Sequence, residues 1–177
     1  MNTISLVKPT ADYEKDIWNF RQEIIDANDE SKFAGCGNLE RCESAQEWID
    51  TVNMLSSTEH CPEDRVPSNT YLAVREEDNK IVGIIDLRHH IDHPILGTWG
   101  GHIGYSVRPG ERGKGYAGEM LRQNLINCRN LNIEKVLVTC DETNTTSQKI
   151  ILSNGGVYEN SIEVDGNIVN RYWIALS

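Results

Sequence analysis

No apolar run in these 177 residues approaches the ~18 residues of a membrane-spanning helix. Nor do the first residues, MNTISLVKPTADYEKD, carry the basic stretch and apolar segment of a secretory signal. A soluble, cytoplasmic protein with no membrane partner is expected. Positive charge is scarce as well: 17 Lys and Arg stand against 27 Asp and Glu, a formal net charge of −10. That balance argues against a nucleic-acid partner, which needs a basic face. The deficit is uneven, since residues 1–65 hold fourteen acids and six bases and the remainder thirteen and eleven. This acidic excess reads first as a solubilising surface, and second as a field that attracts a cationic amine. Paired cysteines are also missing. Cys36, Cys42, Cys61, Cys128 and Cys140 are odd in number and scattered, so reduced packing thiols are expected. Cys36, Cys42, His60 and Cys61 share one stretch, but without a Cys-x-x-Cys pair no metal site is expected. No repeat divides the chain, and its length suits one domain over 1–177.

What the chain does have is concentrated between Gly101 and Asn130. Ile103, Tyr105 and Val107 alternate with smaller or polar residues, which predicts a strand over 102–107 stopped by Pro109 and Gly110. Ala117, Met120, Leu121, Leu125 and Cys128 then recur at helical spacing. Between them lie Arg112, Gly113, Lys114 and Gly115. Two glycines that admit close backbone approach, the unpaired N–H groups of a helix start and two cations together make an anion site.

Around this centre the pattern predicts a strand over 4–8 and a helix over 11–29 on Tyr13, Ile17, Phe20, Ile24 and Ile25. An irregular segment over 30–42 follows, then a helix over 44–56 opened by Ser44 with Glu47. A polar loop over 57–69 leads to a hairpin of strands 70–75 and 80–88, with residues 92–101 as a link to the central strand. Downstream come a buried strand over 135–140 and a helix opened by Thr145 with Gln148 and closed by Gly155 and Gly156. The last hairpin, 157–162 and 168–176, turns at Asp165, Gly166 and Asn167. The expected class is α/β, in the order β-α-α-β-β-β-α-β-α-β-β.

Three readings of the glycine-rich loop compete. A P-loop would need glycine at Arg108 and Ser or Thr at Gly115. Gly113, Gly115 and Gly118 spell the dinucleotide fingerprint, with Asp141 and Glu142 downstream, which would make a nicotinamide-dependent oxidoreductase. The glycines, however, lie five residues beyond the strand, and too little chain follows for a doubly wound sheet. The third reading is a family. Arg112-x-x-Gly115-x-Ala117 resembles the Arg/Gln-x-x-Gly-x-Gly/Ala signature of the GCN5-related N-acetyltransferases (GNAT). Asn144, Ser147, Gly155 and Gly156 resemble a second block of that family, with Gly156 in place of its usual Phe. The resemblance covers residues 70 to 177 well and the first 65 by order of elements.

It implies a GNAT-like mixed sheet, acetyl-CoA as cosubstrate, and a small-molecule or peptide amine as acceptor; a homodimer is allowed. Residues Arg112, Gly113, Lys114, Gly115, Tyr116 and Ala117 would hold the pyrophosphate, Ser106 and Val107 the pantetheine arm and the oxyanion, and Asn144 and Ser147 the pantetheine side. The family's usual acid, a Tyr seven residues after the Asn, is here Ile151, which leaves Tyr158 or water to protonate the thiolate. For the base, His102 sits where some members carry a strand Glu, with His89, His90 and Asp86 as alternatives. The missing Tyr also keeps open a non-catalytic acyl-CoA-binding or sensing module.

Overall fold

The computed structural model describes residues 2–28 and 33–176. In chain order it contains β1 (Ile4–Val7), α1 (Glu14–Ala27), α2 (Ala45–Leu55), β2 (Ser68–Arg75), β3 (Lys80–Arg88) and β4 (Tyr105–Val107), followed by α3 (Tyr116–Asn130), β5 (Lys135–Asp141), α4 (Thr145–Ser153), β6 (Gly156–Val164) and β7 (Asn167–Ala175). This is the expected α/β order. The strands form two antiparallel sheets, β1-β2-β3-β4 and β5-β7-β6.

Strand alternation divides the interior in two. On one face of the first sheet, Leu72, Val74 and Ile84 pack with Ile17, Phe20 and Ile24 of α1 and Trp48, Ile49 and Val52 of α2. On the other, Ala73, Ile85 and Leu87 meet Met120, Leu121 and Leu125 of α3, and this core continues into the second sheet through Val136, Val138, Tyr172 and Ile174. Each large side chain buried this way contributes about 1.5–3 kcal/mol. Helix α3 therefore spans both sheets from one side and fixes where its own N-terminus lies. The close fit needs Gly83, since a Cβ there would stand 2.6 Å from Sδ of Met120.

Several boundaries differ from the sequence reading, each for a local reason. The 11–29 helix begins as a turn of 3-10 helix, Ala11–Tyr13, before α1, and its expected end at Asp29 lies outside the described residues. Of the irregular segment, Leu39–Arg41 forms another 3-10 turn. The link before the central strand closes as a π-helical turn, Leu96–Gly100. The central strand is shorter than 102–107, because the Gly104 N–H donates to the Asp86 carboxylate at 2.7 Å and the ladder loses its backbone partner there. Ser44 caps α2 as expected, accepting from the Glu47 N–H at 3.1 Å. Helix α4 is capped by Asn144, whose Oδ1 accepts from the Ser147 N–H, and not by Thr145; Gln148 instead donates to the Glu142 carbonyl. No helix among the described residues is long and apolar enough to cross a membrane.

Candidate active site

The site starts from a seam. β4 pairs with β3 and β5 pairs with β7, but β4 and β5 do not pair with each other. They are pinned at one end by His102, whose N–H donates to the Leu137 carbonyl at 2.8 Å while its Nδ1 accepts the Leu137 N–H at 2.9 Å. Beyond that pin, a cavity of about 600 Å³ opens between β4, the 111–118 segment and α4.

Register decides which backbone groups face it. Gly104 accepts from Asp86, and Arg108 donates to Val82. Bonded pairs alternate along an antiparallel ladder, so Ser106 also commits its backbone to β3. Tyr105 and Val107 turn theirs to the gap. Ser106 lines the cavity, but its hydroxyl donates to the Ala34 carbonyl at 2.6 Å.

At the other wall, Gly113 (φ +76°) and Gly115 (φ +88°) take left-handed conformations that favour glycine, and Gly115 opens α3 without a side-chain cap. Among the described residues, no acceptor meets the successive N–H groups of Gly113 to Gly118; the ladder of α3 starts with Glu119 donating to Gly115. Six N–H groups at the positive end of a helix can together receive an anion. Side-chain charge contributes less than the sequence suggests. Lys114 does not line the cavity and donates to Glu111 at 2.8 Å. Buried Glu111 also accepts from Arg75 and Lys80, and the three cations, Lys114 foremost, hold its carboxyl near 2. Arg112 lines the cavity with its Nε on the Val107 carbonyl at 3.1 Å.

Two hydroxyls meet on the α4 side. The Tyr105 and Ser147 hydroxyls are hydrogen-bonded to each other, and both residues line the cavity. Burial pushes the Tyr105 phenol up to about 12. Asn144 lines the same wall; with Oδ1 used as the cap, its Nδ2 is the group left to face a ligand. Ile151 is fully buried. Tyr158 does not belong here: it is 53% exposed on β6, bonded to Ser161 and packed edge-on against Tyr172.

A second cavity, of about 420 Å³, lies against residues 33–38, α2 and the end of β3. It adjoins the first at β4, since Ala34, which accepts from Ser106, lines it. The loop reaches β4 because Gly35 lies against Gly104; a Cβ on Gly35 would stand 2.1 Å from the Gly104 oxygen. Asp86 lines this cavity, buried, with Arg88 Nε at 3.0 Å from its other oxygen. Burial raises its carboxyl above the usual aspartate range, Arg88 opposing.

The histidines singled out from sequence sit elsewhere. His102 lines neither cavity, its Nδ1 is spent on Leu137, and burial lowers it to about 4. His89 holds Asn69 at 3.1 Å and also lines neither cavity, with burial again lowering its pKa. Sequence reasoning missed Tyr105 as a partner of Ser147. The one signal was its place in the central strand.

A family model described as an acetyltransferase (GNAT) domain matches residues 6–157. Among the curated proteins no match was found. Solved structures resemble the chain over nearly its whole length. RimL, a ribosomal-protein alpha-N-acetyltransferase in complex with coenzyme A, is 17% identical with a TM-score of 0.69, covering 99% of this chain and 96% of that one. MccE, a microcin self-immunity acetyltransferase in complex with acetyl-CoA and AMP, is 17% identical with a TM-score of 0.69, covering 97% and 92%. A variant of the spermidine N-acetyltransferase SpeG from Vibrio cholerae is 16% identical with a TM-score of 0.63, covering 98% and 95%. At these identities the likeness is one of fold. Together with the family model, which spans most of the sequence, it establishes that the chain belongs to the GNAT acetyltransferase family.

Proposed function

We propose that the protein is an acetyl-CoA-dependent N-acetyltransferase acting on the primary amine of a small molecule or peptide, in the cytoplasm. What supports this above all is the run of N–H groups from Gly113 to Gly118 that meets no acceptor among the described residues and opens onto the edge of β4 that does not pair with β5. Bound acetyl-CoA supplies the activated acetyl thioester. The run of N–H groups would hold its diphosphate. The outward backbone of Tyr105 and Val107 would pair with the extended arm, leaving an N–H to receive charge developing on the carbonyl oxygen. Asn144 Nδ2 would donate to the same arm.

An amine with a pKa near ~10.4 is almost wholly protonated at neutral pH, so a base is needed. Asp86 is that base in this reading. It lines the neighbouring cavity, and its raised pKa makes it a better proton acceptor than an ordinary aspartate once ionised. Tyr105, through Ser147, would return a proton to the departing sulfur, the role for which Ile151 leaves no group. A thiol with a pKa near ~8.5 makes that help modest.

The test is release of CoA from acetyl-CoA in the presence of a panel of primary amines, with mass spectrometry of the acetylated product. Acetyl-CoA binding without turnover by any amine would sink the enzymatic reading and leave a binding module.

A further inference from the structure

The cavity beside Asp86 has a charge that the composition does not foretell. The chain carries a net −10, yet among the described residues the Lys, Arg, Asp and Glu side chains lining this cavity are Arg65, Arg88 and Asp86. Asp86 is turned inward, one oxygen on the Gly104 N–H and the other on Arg88 Nε. Arg88 is fixed in turn by Nη1, which donates to the Gly100 and Gly101 carbonyls. Its Nη2 lies beside Gly104 and meets no acceptor among the described residues.

Two further donors line the same cavity. The Arg65 guanidinium, at the exposed mouth, also meets no acceptor among the described residues. His93 uses Nδ1 to accept from the Ile95 and Leu96 N–H groups, so its neutral ring carries the proton on Nε2. A second cation would meet these groups as like charge, whereas an oxyanion would satisfy them.

We infer that the acceptor carries an anionic group, a carboxylate or a phosphonate or phosphate, which Arg65 and Arg88 hold while the amine reaches Asp86. This rests on the reading of this cavity as the acceptor's. It also reverses the second interpretation of the acidic N-terminal third, because among the described residues no acid of residues 1–65 lines the cavity.

The experiment compares γ-aminobutyrate, aminopropylphosphonate, γ-aminobutyramide and putrescine as acceptors, read by CoA release. The carboxylate and phosphonate amines should exceed the neutral amide by on the order of tenfold in kcat/KM, the scale of a charge-assisted hydrogen bond, with putrescine poorest. The first two arms identify which oxyanion is preferred. Arg65→Gln, at an exposed position that does not threaten folding, should collapse the ratio of anionic to amide substrate towards one, mainly through KM. A preference for putrescine, or an anion-to-amide ratio that survives both Arg65→Gln and Arg88→Lys, would overturn the inference while leaving acetyl transfer standing. Failure of every amine with acetyl-CoA bound would overturn both.

Discussion

The two cavities that meet at β4 present hydrogen-bond donors of different kinds. On one side the donors are main-chain N–H groups, Gly113 to Gly118, fixed by two left-handed glycines and the start of a fifteen-residue helix. On the other they are the side chains of Arg65, Arg88 and His93, which come from separate elements. A backbone site changes little when surrounding side chains change, because every residue except proline offers the same N–H. A side-chain site changes its ligand with a single substitution. On the proposed reading the molecule keeps a general part and a specific part on either side of one three-residue strand.

The sharpest way to break this division is to put charge into the backbone site. Gly118 lines the cavity and has nothing within 4 Å of where a Cβ would stand. Gly118→Glu should reduce acetyl-CoA affinity by more than ~10²-fold through repulsion of the diphosphate. In the first turn of a helix the same carboxylate is favourable by about 0.3–1 kcal/mol, so thermal stability should hold or rise. Calorimetry and a melting curve on one sample check both halves. Normal binding by the folded variant would remove the anion site.

Asp86→Asn comes next and attacks the other side. It should lower kcat by about 10²-fold while acetyl-CoA binds as before. If Asp86 is the base, it works only when ionised, and burial raises its pKa. Hence kcat/KM should climb with pH through a value above the ordinary aspartate range, and a pH–rate profile of both proteins would reveal it. An Asn variant with undiminished rate would leave positioning alone to select the neutral amine.

Tyr105→Phe should cost about tenfold in kcat. If the phenol acts through Ser147, the Tyr105→Phe, Ser147→Ala double variant should lose little more than either single one, and a double-mutant cycle measures that coupling. Additive losses would separate the two hydroxyls.

The smallest effect on rate is expected at His102. Gln there should leave the pH–rate profile as it was and cost stability instead, on the order of 1 kcal/mol for the weakened bond to Leu137. The folded His102 is neutral, with its pKa pushed below the usual 6.5 to about 4. Between those values the unfolded chain binds the extra proton, so this residue's contribution is present above about 6.5 and lost as pH falls through about 4. Urea unfolding at several pH values should therefore show a shallower acid slope for the variant. A changed rate profile would return His102 to the chemistry.

What sequence made legible follows from range along the chain. The glycine loop and α3 are contiguous, so Arg112-x-x-Gly115-x-Ala117 and the helical spacing after it carry both the structure and its use. The order of strands and helices was readable for the same reason, each element bearing its own periodicity. The second cavity is built from contacts across distance: Gly35 on Gly104, Ser106 on Ala34, Arg65 and Arg88 lining one space. Tyr105 meets Ser147 across 42 positions. His102 looked catalytic because its place in the strand was legible and the Leu137 N–H that occupies it was not. Asp86 stood only among the alternatives because burial, which sets its pKa, is a property of the folded state.

The unpaired edge of β4 has a consequence for solubility. A sheet edge with free N–H and C=O groups invites strands from other chains, and proteins protect such edges or keep them short. This one is three residues long. Of these, Tyr105 and Val107 point outward, Arg112 covers the Val107 carbonyl, and Pro109, which has no N–H, ends any extension. A foreign strand would gain too few bonds to be retained, whereas the proposed acetyl-CoA would bring its own hold through its phosphates. So short and interrupted an edge is a poor template for a foreign strand even while it stands open.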